Sequence, residues 1–154
     1  MNHTAPASIP DSGLNYRLKP TFEAVRETLL RVTGDCSRAG LSSALTERIE
    51  LVVAEALNNV VEHGQLCIDS GYIQLFVSQI DRTMLIKIRD TGAPMPGLVL
   101  PDGRPPQMSG PIEDLPEGGF GWFIIKSLAD GLGYTRSDGW NELEIRISAS
   151  NAAA

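Results

Sequence analysis

Three groups of residues, and a single basic side chain, combine types and spacings that can do chemistry. Glu55 and Asn59 stand four apart in LTERIELVVAEALNNVVEHG. At about 100° per residue, that spacing stacks both side chains one turn apart along one margin of a helix. Asn59 projects between Val52 and Ala56, so its carboxamide is partly desolvated and needs a partner. A cation would supply one. Mg²⁺ takes oxygen ligands and commonly draws only one or two from protein, with phosphates and waters completing its shell. Glu55 then lies where a carboxylate can accept a proton from an incoming hydroxyl or water. Taken alone, the spacing favours a solvated Glu beside a backbone-bonded Asn.

Asp90 ends the run IKIRDTGAP and is followed by Gly92 and Pro94. An ordinary Asp-x-Gly turn has this form. The same carboxylate can accept a hydrogen bond from an exocyclic amine such as that of adenine, while Gly92 lets a flat ring approach the backbone. In EGGFGWFIIKSL the turn Gly118-Gly119-Phe120-Gly121 leads directly into a helical pattern. Backbone N–H groups at such an entry can turn toward phosphate oxygens. Arg104 is the one basic residue between Ala93 and Glu117. The chain contains neither a G-x-x-x-x-G-K-[ST] loop nor the HRD and DFG motifs of eukaryotic-type kinases.

The elements that must position these groups are legible from periodicity. Leu14, Tyr16 and Leu18 alternate with polar residues as in a half-buried strand that ends at Pro20. Phe22, Val25, Leu29 and Val32 recur at helical spacing as far as Gly34, where a stop is expected. A second helix, capped by Ser42 or Ser43, carries Leu45, Ile49, Val52, Val53, Ala56, Leu57 and Val60 on one face and stops at Gly64. His63 projects onto that apolar face and is expected to pack at the helix end, where the dipole favours it. YIQLFVSQI and TMLIKIRD read as two strands joined by a hairpin at Asp81-Arg82. WFIIKSLAD is helical, and GLGYTRSD and NELEIRIS read as the closing strands. The order βααββ, loop, αββ predicts an α+β two-layer sandwich, with helices on one face of a mainly antiparallel mixed sheet.

Seven of the ten prolines fall between Ala93 and Glu117, so that stretch is expected to be a lid or a disordered loop. The chain thus divides into a flexible leader over 1–13, one domain over 14–148 with a lid at about 93–117, and a tail over 149–154. At 154 residues and 42% hydrophobic content it can build a single core. A net charge of −6 argues against nucleic acid as a partner. The apolar runs are too short to span a bilayer, and MNHTAPASIPDSG lacks the basic start and apolar stretch of a secretory signal, so a cytoplasmic location with no membrane partner is expected. Cys36 and Cys67 read as unpaired thiols.

In order and context, Glu55-x-x-x-Asn59 on a long helix, Asp90-x-Gly92 after a strand and Gly118-Gly119-x-Gly121 before a helix resemble the nucleotide-binding boxes of the GHKL (Bergerat-fold) ATPases. EALNNVVEHG and LPEGGFGWFIIKSLAD are similar to the signatures of the small bacterial anti-sigma regulatory factors, which are serine/threonine kinases. The resemblance covers roughly 14–148. It implies ATP bound with Mg²⁺, with Asn59 holding the metal, Glu55 as catalytic base, Asp90 and Gly92 on the adenine, and the Gly118 to Gly121 turn, Phe120 included, on the phosphates. It also implies a lid contact to the terminal phosphate, which falls to Arg104. It further implies a homodimer that binds a sigma factor or analogous regulator and phosphorylates a serine of a STAS-type antagonist. A non-catalytic, ATP-gated module that sequesters its partner is the competing expectation. A detached histidine-kinase domain fits less well, because His3 and His63 are the only histidines.

Overall fold

The computed structural model describes residues 8–64, 71–102 and 120–149. Five strands and three α-helices follow one another as β1 (Leu14–Leu18), α1 (Phe22–Arg38), α2 (Ser43–His63), β2 (Ile73–Ile80), β3 (Thr83–Asp90), α3 (Phe120–Leu128), β4 (Gly131–Ser137) and β5 (Trp140–Ser148), with a short 3-10 turn at Pro96–Leu98. The strands form one sheet in the order β1-β2-β3-β5-β4. All four pairings are antiparallel, so the described sheet is uniform where a mainly antiparallel mixed one was expected.

Period-two alternation decides which face the helices cover. Ile73, Leu75 and Val77 on β2, with Met84, Ile86 and Ile88 on β3, are all essentially inaccessible. Leu143, Ile145 and Ile147 continue that layer on β5. Their neighbours in sequence, Phe76, Lys87 and Glu144, stand on the opposite, uncovered face, paired across the strands in one row. The long helix α2 lies against the buried face between α1 and α3. It buries Ile49, Val52, Val53, Ala56 and Leu57, as its apolar stripe predicts. Its ends are as expected: the Ser42 side chain accepts from Leu45 N at 3.1 Å, and Gly64 is the C-cap.

Three local expectations are corrected. Helix α1 runs through Gly34 and ends at Ala39. There Gly40 adopts φ +83°, Gly40 N donates to Ser37 O and Leu41 N donates to Cys36 O, which together close a Schellman motif. An interior glycine costs a helix only about 1 kcal/mol, and the anchorage of the next turn outweighs it, since Cys36 is fully buried and Asp35 is bonded to Tyr16. Packing also begins before Leu14: Ile9 is buried, and Gly13 N donates to Pro10 O. His63 is exposed on its side chain to 76%, beside Glu62, and borders a cavity instead of packing into the core. Cys36 is unpaired among the described residues, and burial pushes its thiol up to about 11; Cys67 lies outside them.

The link between β1 and α1 is polar. The Tyr16 hydroxyl, on a residue 5% exposed, donates to Asp35 Oδ2 at 2.6 Å. Burial, and then this bond, raise the tyrosine far above its ordinary value. The same bond, and then Arg38, hold the Asp35 carboxyl below the usual carboxylate range. A depressed folded-state value means that Asp35 stabilises the fold above its unfolded value near pH 4, and that this stabilisation is lost as the pH falls through the folded value. Tyr16→Phe is therefore expected to cost about 1–2 kcal/mol at neutral pH. Urea unfolding at neutral pH and near pH 3 should find the deficit smaller in acid.

Candidate functional site

The C-terminal half of α2, the turn after β3 and the first turn of α3 surround a cavity of about 720 Å³. That size suits a ligand of nucleotide dimensions. Its walls combine apolar residues, among them Val60, Ile88, Met95, Trp122 and Leu143, with two polar groups, one around Asp90 and one around Glu55.

The Asp90 group is built by a close approach of two glycines. After β3, Ala93 N donates to Gly64 O at 2.8 Å, joining the turn to the cap of α2. A Cβ on Gly92 would collide with that same carbonyl, so the turn reaches the cap only because Gly92 carries no side chain, while one on Gly64 would lie 2.5 Å from Val60 O of its own helix. Asp90 is thereby brought to the cavity wall at 5% exposure. Its Oδ1 accepts from Gly92 N at 2.8 Å and from Asn141 Nδ2 at 3.0 Å. A carboxylate has about four acceptor positions, so two protein donors leave it capacity for a ligand donor.

The Glu55 group joins α2 to α3. Glu55, Asn59 and Gly121 all line the cavity. A Cβ on Gly121 would stand 2.7 Å from Glu55 Oε2 and 3.6 Å from Asn59 Nδ2, so the glycine leaves room for both side chains. Asn59 Nδ2 is shielded and finds no hydrogen-bond partner among the described residues. A buried amide in that condition points to a partner that arrives with a ligand, and a half-turn of the carboxamide would present its oxygen instead. No group of three or more His, Cys, Asp or Glu among the described residues could hold a metal. The Asn59 side chain fits Mg²⁺, which needs one protein oxygen when phosphates supply the rest. The first turn of α3 adds the positive end of its dipole to this side of the cavity.

Thus Glu55, Asn59, Asp90, Phe120 and Gly121 all border one cavity, with Gly92 in the turn beside it. Gly118, Gly119 and Arg104 lie outside the described residues. Sequence reasoning missed Asn141 and Tyr134, which border the cavity, and Arg136, which bonds to Gly92 O at 2.6 Å. The usable signal was strand register: Asn141 stands directly opposite Asp90, and Arg136 opposite Asn141, across β3, β5 and β4.

Comparison with known proteins agrees with the fold. A family profile for the histidine kinase-like ATPase domain matches residues 18–147. The serine-protein kinase RsbW of Oceanobacillus iheyensis is 31% identical over 113 residues, which cover 73% of this chain and 70% of that one. The serine/threonine-protein kinase BtrW of Bordetella bronchiseptica is 31% identical over 104 residues, covering 68% and 71%. Among solved structures, the RsbU and RsbW domains of a Mycobacterium tuberculosis protein superpose with a TM-score of 0.60 at 14% identity. That match covers 88% of this chain and 32% of that larger one, and bears on the fold alone.

Because Gly92 abuts immovable backbone, Gly92→Ala is expected to destabilise the protein by about 2–4 kcal/mol through overpacking and loss of the Ala93 bond. Equilibrium urea denaturation checks the figure; a loss below about 0.5 kcal/mol would mean that the two segments do not need this contact.

Proposed function

The chain belongs to the histidine-kinase-like ATPase family, and from that premise we propose that it is a protein-serine kinase that uses Mg·ATP to regulate a partner-switching pathway. The observation that carries the reading is the convergence of Glu55, Asn59, Asp90 and Gly121 on one cavity. The relatives' names, serine-protein kinase and serine/threonine-protein kinase, support the choice of acceptor.

On this reading Asp90 accepts the exocyclic amine of adenine, and apolar residues of the cavity, Val60 and Trp122 among them, flank the base and ribose. Asn59 turns its amide oxygen to the metal, and that ion, when bound, screens the phosphate charge and orients the terminal group. The Gly118 to Gly121 turn and the N-terminus of α3 direct backbone N–H groups at phosphate oxygens, and Arg104 is the lid's candidate for the terminal phosphate. Glu55 takes the proton of the attacking serine hydroxyl as its oxygen bonds to the terminal phosphorus and the bridging bond breaks, releasing ADP. The acceptor is a serine of a STAS-type antagonist, the regulated partner is a sigma factor or analogous regulator, and the active species is a homodimer in the cytoplasm. No helix among the described residues is long and apolar enough to cross a membrane. We further propose a leader over 1–13 that is already anchored at Ile9, a catalytic domain over 14–148 with its lid at about 93–117, and a tail over 149–154.

Glu55→Gln keeps the shape of the side chain and removes the base. It should bind Mg·ATP within about threefold of wild type while phosphate transfer to the cognate STAS protein, followed with radiolabelled ATP, falls by at least about 100-fold. Transfer at the wild-type rate would eliminate Glu55 as the base. Undiminished control of the partner by the non-transferring variant would favour the ATP-gated module. Asn59→Ala should instead lose the Mg²⁺ dependence of ATP binding, read by calorimetry with and without EDTA.

A further inference from the structure

Asn141 makes more side-chain hydrogen bonds than any other described residue, and all of them go to protein. Its Nδ2 reaches Asp90 Oδ1 at 3.0 Å, Ala93 O at 2.9 Å and Gly92 O at 3.3 Å. Its Oδ1 accepts from Tyr134 Oη at 2.6 Å and Arg136 Nη1 at 3.0 Å. Two amide protons shared among three acceptors, and two lone pairs matched to two donors, exhaust the group. The opposite amide orientation would set oxygen against three acceptors and nitrogen against two donors, so the partners dictate the orientation.

The donors on Asn141 are themselves fixed. Tyr134 Oη also accepts from Met95 N at 3.0 Å, and Arg136 Nη1 also donates to Gly92 O at 2.6 Å. One connected network therefore runs from β4 through Asn141 to the Asp90 carboxylate, and from the same tyrosine to the backbone entering the 3-10 turn at Pro96–Leu98. Asn141 is 6% exposed and Asp90 5%, so a displaced member leaves neighbours unpaired with little access to water.

We infer that Tyr134, Arg136 and Asn141 are positioning residues that set the selectivity of this cavity for an amino-substituted purine, by holding the Asp90 carboxylate in the one orientation that accepts the exocyclic amine. The inference rests on the proposed nucleotide site and deepens it. Asn141 has no capacity left to bond the base itself. Asp90 Oδ1 carries both protein donors, which directs the ligand donor to the remaining acceptor positions of the carboxylate. The bond from Tyr134 to Met95 makes the start of the lid part of the same unit, so purine recognition and the path of residues 93–95 are set together.

The test compares ATP with purine riboside triphosphate, which lacks only the 6-amino group, on the full chain and on Tyr134→Phe and Asn141→Ala, by calorimetry with Mg²⁺. Tyr134→Phe keeps the ring in the cavity wall and guards against loss of folding in the Asn141 variant. Wild type should prefer ATP by about tenfold, the value of one well-placed hydrogen bond. Each variant should bind ATP about tenfold more weakly and the deamino analogue within about twofold of wild type, erasing the preference. Equal losses for both ligands, or no loss, in the Tyr134 variant would overturn the positioning role while leaving the nucleotide site in place. A wild type that binds both equally would remove the Asp90 contact and the inference with it.

Discussion

The contact on which the site depends is the one between the β3 turn and the cap of α2. Glu55 and Asn59 belong to a helix and Asp90 to a strand end, and neither element by itself fixes its distance from the other. The bond from Ala93 N to Gly64 O, made possible by the absence of a side chain on Gly92, closes that distance. Because α2 is clamped between α1 and α3 over the sheet, the cap cannot drift. The cavity then combines two polar groups with apolar residues, a composition that suits a ligand with a flat base and charged phosphates.

Much of this was legible beforehand. The α2 stripe from Leu45 to Val60 and the alternating β2 and β3 runs are long and regular, so their periods leave one reading each, and the two-layer α+β arrangement follows from their order. Two local errors share a cause. Gly34 resembles a helix stop, but the turn after it is held by Cys36 and Asp35, whose partners lie on other elements. His63 falls on the apolar side of a helical projection, yet it stands exposed at a cavity wall. Periodicity reports which face is apolar and not what that face meets. Asn141, Tyr134 and Arg136 went unread for a related reason: each is an unremarkable residue in its strand, and acquires a role only through the β3-β5-β4 register.

The two polar groups use different physics. Around Asp90 every donor and acceptor on Asn141 is matched, which makes a preorganised wall. Around Glu55 the Asn59 amide nitrogen is buried without a described partner, and Gly121 opens space beside the carboxylate. A satisfied network costs nothing to leave alone, whereas an orphaned buried amide carries a penalty that a ligand can relieve. Such a division gives one rigid recognition group and one that is completed on binding.

The central claim is that one cavity takes Mg·ATP between the α2 end, the β3 turn and the start of α3. Titrating isotopically labelled full-length protein with Mg·ATP and following backbone amide chemical shifts tests it most directly. The account predicts saturable shifts concentrated at 55–64, 90–95 and 120–122, at one stoichiometric site. Shifts confined to the uncovered face of the sheet around Phe76 and Lys87, or none at millimolar nucleotide, would contradict it.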